Sequence, residues 1–192
     1  MKKLLVLCLP LFALTSCSLM FEAATITRNR AREVAPGESI AGEGFFVQVP
    51  EEGLYAERDD PAKGGVCFRP VDTWRDGLVY SVSPFRSTTA RTPEEALDEW
   101  YRRPALRGRQ FQTSGSSPAS FAGLKGTQAI VTIPMDERGG LIGATMVLRR
   151  GNDFLILTRG DLYHSAEDAP RAKARCKTGL RDLMQRTKLT SR

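Results

Sequence analysis

Few residues in this sequence are equipped for chemistry, and their spacing limits what they can do. The chain of 192 residues has a single histidine, His164, and four cysteines, Cys8, Cys17, Cys67 and Cys176. Histidine is the side chain that titrates nearest neutral pH, so it is the natural general base, and a thiolate is the strongest nucleophile among ordinary side chains. A Cys67–His164 dyad, with Asp161 to orient the imidazole, is therefore the sharpest catalytic arrangement available. Against it, Gly64-Gly65-Val66-Cys67-Phe68-Arg69 is not a strand-to-helix nucleophile turn, and His164 reads equally as a loop residue ahead of the last helix. The sequence has no G-x-S-x-G, Ser-x-x-Lys or H-E-x-x-H pattern and no glycine-rich phosphate loop followed by Lys. Neither zinc-type Cys/His spacing nor an EF-hand loop is present, so no metal and no cofactor are expected. Glu94, Glu95, Asp98 and Glu99 have the spacing of the first turns of an exposed helix, where carboxylates complement the macrodipole. Arg102, Arg103, Arg107 and Arg109, edged by Tyr101 and Phe111, form a candidate anion or partner patch, since guanidinium groups grip phosphate and carboxylate. The competing reading is cations at a helix C-terminus, worth about 0.3–1 kcal/mol each.

The most specific chemistry lies near the start of the chain. Met1-Lys2-Lys3 is a short basic segment, and Leu4 to Leu14 is an apolar run of 11 residues broken only by Pro10. That is the layout of an export signal, and it is too short for a membrane span, which needs about 20 apolar residues. The run ends in Leu14-Thr15-Ser16-Cys17, which resembles the lipobox of bacterial lipoproteins. The resemblance implies diacylglycerol on the Cys17 thiol, cleavage just before it, and loss of residues 1–16. Acyl chains on one residue then make a membrane anchor, since a single chain binds only marginally. Ser18 stands where enteric-type lipoproteins kept in the inner membrane carry Asp, so the outer membrane, facing the periplasm, is expected.

Removal of residues 1–16 leaves 176 residues, one domain's worth, and lowers the formal net charge from +6 to +4. A hydrophobic content of 41% argues for a folded body. Export excludes nucleic acid as a partner, which leaves the membrane itself and an unidentified envelope protein or ligand. With Cys8 discarded and Cys17 acylated, Cys67 and Cys176 remain. An oxidising compartment permits a disulfide between them, while two separate buried thiols fit the sequence equally well.

The elements that must position these residues follow from pattern. Residues 17–43 read as the lipidated Cys and a flexible tether, and residues 44–192 as one globular domain. β-type runs are expected at Gly44–Pro50, Gly65–Val71, Leu78–Pro84, Lys125–Ile133, Leu141–Leu148 and Phe154–Arg159. Arg150-Gly151-Asn152-Asp153 predicts a tight hairpin between the last two. Thr92-Pro93-Glu94-Glu95 opens a helix with a capping box and Pro at the first helical position. A second helix over about Ala166–Lys188 presents Ala169, Ala172, Cys176, Leu180, Leu183 and Met184 on one side. Together these make an α+β domain, an antiparallel sheet of about six strands packed by a mid-chain helix and a long C-terminal helix.

The order of GFFVQVP, TPEEALDEWY, GLKGTQAIVTI, GATMVLRRGNDFLILT and a closing amphipathic helix resembles the PsbP-like α/β/α sandwich, which includes bacterial lipoproteins of the DcrB type. The early aromatic usual in that family is replaced by Glu51-Glu52-Gly53-Leu54. The resemblance implies a non-catalytic binding or assembly module of the cell envelope. The alternative class is an envelope hydrolase using Cys67 and His164, or carboxylates not paired in sequence.

Overall fold

All six expected runs are strands in the computed structural model, which describes residues 32–51, 54–58, 64–70, 79–102, 110–135 and 139–190. They are β3 (Phe45–Gln48), β5 (Val66–Pro70), β6 (Val79–Phe85), β8 (Leu124–Pro134), β9 (Gly140–Arg150) and β10 (Asp153–Tyr163). Five further strands join them: β1 (Arg32–Val34), β2 (Ser39–Gly42), β4 (Leu54–Arg58), β7 (Gln112–Phe121) and β11 (Thr187–Leu189). The main sheet has eight strands in the order β1-β4-β5-β6-β10-β9-β8-β7, and a second sheet has the order β11-β3-β2. Residues 1–16 and Cys17 lie outside the described residues. The folded body begins before Gly44, in what reads from sequence as tether, because β2 pairs with β3 and Val34 is buried.

Turn chemistry sets the register of the long strands. Phe121 pairs with Leu124 across Ala122 and Gly123, both at positive φ, the conformation that two-residue hairpins favour because it matches strand twist. Arg150 pairs with Asp153 as the tight hairpin predicts, and Gly151 takes a φ of 65° at the first turn position. Strand β7 carries mostly exposed side chains and is bulged between Ser114 and Ser117. A bulge and Pro118 on an outer strand both discourage further strand pairing.

Two helices cover the two faces of the main sheet. Helix α1 (Pro93–Tyr101) starts with the expected capping box: Thr92 accepts from the Glu95 amide, and Glu95 accepts from the Thr92 amide. Its Ala96, Leu97, Trp100 and Tyr101 are buried with Ala129, Val131, Val147, Phe154 and Ile156, and Phe85 meets Trp100 edge to face at 5.5 Å. Helix α2 (Ala169–Arg186) buries Ala172, Cys176, Leu180 and Leu183 on the other face, among Met146, Leu148, Leu155 and Leu157. The alternation of Phe154 and Ile156 with Leu155 and Leu157 divides β10 between the two cores. No helix of the described residues is long and apolar enough to cross a membrane.

Candidate functional site

The face of the sheet under α2 collects the polar chemistry of the fold. Arg159 follows Leu155 and Leu157 on the same side of β10, so alternation sends its side chain into the α2 core, where the residue is 5% exposed. Its guanidinium lies 4.7 Å from the centroid of the Tyr80 ring. Its Nη1 donates to the Gly160 carbonyl, its Nη2 is 3.9 Å from Asp161 Oδ2, and its Nε finds no partner. A buried cation is tolerated only when such groups surround it. Asp161 is shared: its carboxylate accepts from the Leu162 amide at 2.9 Å and from Arg175 Nε of α2 at 2.7 Å. The Asp161 hydrogen bond holds the Arg175 guanidinium pKa above its ordinary value. Burial raises the Tyr80 phenol, with Arg159 opposing the shift. Gly179 lets α2 come this close, because a Cβ there would sit 2.8 Å from Arg159 Cγ. The cluster ties α2 to β10 and contains no base aimed at a nucleophile.

The residues singled out for catalysis are not brought together. Cys67 pairs with Ser81 across β5 and β6, and Ser81 pairs with Thr158 of β10. His164 lies six residues beyond Thr158, about 20 Å further along at roughly 3.3 Å per residue. Cys67 is buried and His164 is exposed, so the dyad does not form. Asp161, the expected orienting carboxylate, is bound by Arg175 instead.

The disulfide is absent for a related reason: no sulfur–sulfur bond joins Cys67 and Cys176. Val66 and Phe68 face the α2 core, so alternation turns Cys67 to the opposite side of the sheet from Cys176. Bridging residues need Cα atoms within about 7 Å and Cβ atoms facing each other. Cys176 donates to the Ile142 carbonyl at 3.4 Å, and burial pushes its thiol up to about 11. It is a neutral core residue at physiological pH.

Two carboxylates of α1 and the arginine that follows it are likewise engaged locally. Glu99 accepts from Thr89 at 2.8 Å and from Ser87, whose hydroxyl holds its pKa below the usual carboxylate value. Asp98 pairs with Arg102 at 2.8 Å, one helical turn away. Arg102 is thus an exposed helix-end cation, and Arg103, Arg107 and Arg109 lie outside the described residues. No group of three His, Cys, Asp or Glu side chains suited to a metal occurs among the described residues.

A groove of about 270 Å³ opens between α2 and the β7 end of the sheet. Ile130 of β8, Ala144 of β9, and Leu180 and Met184 of α2 line it with apolar surface. Gly115 and Ser117 of β7, with Gln128 of β8, form the polar wall, and the Gln128 amide donates to the Ser117 hydroxyl at 3.3 Å. Lys177 and Arg181 stand one helical turn apart on the opposite rim. Sequence reading misses this site because Gln112–Phe121, rich in Ser with Gly and Pro, is not among the expected strands, which removes one wall. The usable signal is the i, i+4 pair Lys177 and Arg181 bordering the buried stripe that contains Leu180.

No protein-family model matches the chain, and no curated protein sequence matches it. Solved structures do. A cyanobacterial PsbP, CyanoP from Synechocystis sp. PCC 6803, is similar with a TM-score of 0.50 at 13% identity, over 81% of this chain and 97% of that one. PA94 from Pseudomonas aeruginosa matches over 75% of this chain and 94% of its own at 12% identity, TM-score 0.43. LpqN of Mycobacterium tuberculosis, described as involved in cell envelope biogenesis, matches over 88% and 96% at 14% identity, TM-score 0.35. Identities this low speak to architecture alone, and the architecture, an antiparallel sheet held between two helices, is the PsbP-like α+β fold.

Proposed function

We propose that this chain is the precursor of a lipid-anchored envelope protein whose folded body is a non-catalytic binding or assembly module facing the periplasm, at the outer membrane rather than the inner. The anchoring half rests on Leu14-Thr15-Ser16-Cys17 directly after a basic start and an apolar run. The observation that carries the binding half is the open groove beside α2, which joins an apolar lining to two cations and two polar side chains. The position of Cys67 and His164, about 20 Å apart along the strands, supports a module over a hydrolase built on that pair. Of the carboxylates on α1, Glu95, Glu99 and Asp98 serve a helix cap, a loop and an ion pair.

Two experiments test the reading. Cells fed labelled palmitate should place label on the wild-type protein and none on Cys17→Ser, which should leave the membrane fraction or remain unprocessed. Failure of label to enter the wild type removes the anchor. Crosslinking in intact cells followed by mass spectrometry should return a reproducible envelope partner or ligand. Hydrolytic activity in the purified protein that is lost on changing His164 would reverse the non-catalytic reading.

A further inference from the structure

We infer that the groove beside α2 is a binding site for a single-chain aliphatic carboxylate, with the carboxylate between Lys177 and Arg181 and the chain on the apolar lining. The inference rests on the reading of the body as a binding module and names the ligand class.

The groove exists because α2 packs over β9 and β10 and stops short of β7. Where a large side chain would close the gap, the sheet offers Gly115, Ser117 and Ala144. Ile130 and Leu180 are each 5% exposed and Ala144 2%, so the floor of the groove is the edge of the buried core, an apolar surface that favours hydrocarbon over water. The volume of about 270 Å³ falls just below the range of ordinary ligand sites, roughly 300–1,000 Å³. It suits one slender chain and is too small for a two-chain lipid.

Charge sets the other end of the ligand. No acidic residue lines the groove. Among the described residues Arg175 is paired with Asp161 and Arg186 with Asp182, whereas Lys177 and Arg181 on the groove rim have no ion-pair partner. Among the described residues the Arg181 guanidinium makes one bond, a 3.5 Å contact from Nε to the Lys177 carbonyl. Two unpaired cations beside an apolar lining complement a carboxylate carried on an apolar tail.

An extended peptide fits less well. Its backbone amides and carbonyls need partners wherever they leave water. The apolar lining offers none, and Ser117 of β7 and Gln128 of β8 spend one acceptor and one donor on each other, leaving too few groups to serve a peptide backbone. A hydrocarbon chain makes no such demand.

The test uses the purified full chain and a medium-chain fatty acid carrying a diazirine near the chain end, with its methyl ester as the uncharged control. Photolabelling mapped by mass spectrometry should place the acid on peptides containing Ser117 to Ile130 and Lys177 to Met184, and unlabelled decanoate should compete. Lys177→Gln with Arg181→Gln should lower groove labelling by about tenfold, a loss on the scale of charge-assisted contacts. The methyl ester should label as weakly as that variant does with the acid. Ser117→Phe, which fills the groove and keeps both cations, should abolish labelling. The charge variant changes exposed side chains, and its unchanged thermal transition verifies folding even where Ser117→Phe is unstable. Equal labelling by acid and ester, wild-type labelling of the charge variant, or labels confined to other segments overturns the inference. An unlabelled groove in a chain that still acquires lipid at Cys17 and retains a crosslinked partner overturns the ligand assignment alone.

Discussion

Replacing Gly179 by Ala sets two physical effects against each other, and the structure decides the sign. In the interior of a helix Ala is better than Gly by about 1 kcal/mol, so helix propensity alone makes Gly179→Ala stabilising. At this position a Cβ would lie 2.8 Å from Arg159 Cγ, 2.9 Å from Nε and 3.0 Å from Cδ. Arg159 has little room to retreat: it is 5% exposed, stacked on Tyr80 and bonded to the Gly160 carbonyl. Forcing a methyl group into a packed site costs about 1–3 kcal/mol, so the substitution should come out net destabilising by roughly 1 kcal/mol. With Arg159→Ala in the same chain the obstruction is gone, and Gly179→Ala should recover its gain of about 1 kcal/mol. The coupling between the two positions is then roughly 2 kcal/mol, within the range for residues in contact. Urea denaturation followed by tryptophan fluorescence of the four proteins of the cycle measures it. A Gly179→Ala protein more stable than wild type by the same margin in both backgrounds would refute the claim that this glycine is required by Arg159.

Two further outcomes concern the cysteines. Alkylation under denaturing conditions without reductant should modify both Cys67 and Cys176, and in the native protein both should react slowly, because they are 4% and 0% exposed; a mass showing a retained bridge would contradict the placement of the two thiols on opposite faces. Stability should also fall in alkaline solution, because Cys176 is pushed from 9.0 up to about 11. Below pH 9 both states keep the proton; above it the unfolded state loses the proton first, so stability declines as pH rises to about 11, by roughly 2–3 kcal/mol for this group. Comparing wild type with Cys176→Ala between pH 8 and 11 isolates the effect, and parallel declines in the two proteins would remove the thiol as its source.

Some of this was readable in order along the chain. The capping box at Thr92 and Glu95, the Gly151 hairpin and the buried stripe of α2 depend on residues within three or four positions of one another, so linear spacing carries their physics. The proposed lipid site, Leu14-Thr15-Ser16-Cys17, is likewise a pattern of contiguous residues. The six principal strands also showed themselves, since a run of β-branched and aromatic residues is a local signal. The α+β, PsbP-like order of elements followed from those pieces.

What the linear pattern left open depends on pairing between distant segments. Gln112–Phe121 has little strand character of its own and becomes β7 because β8 supplies its hydrogen bonds. Val34 and the short β2 likewise join the body through partners elsewhere in the chain. Cys67 and Cys176 are an obvious pair by count, yet a strand's side chains alternate between faces, and one residue of phase puts the sheet between the two thiols. Arg159 enters the sequence reading only as the end of a strand, and its phase on β10 sends it beneath α2, where Tyr80 and Asp161 receive it. The groove is the furthest from the sequence, because its two walls, β7 and α2, meet only when the sheet order sets the edge strand beside the helix. Local chemistry determined the elements; strand phase and sheet order, which no short window contains, decided which side chains share a site.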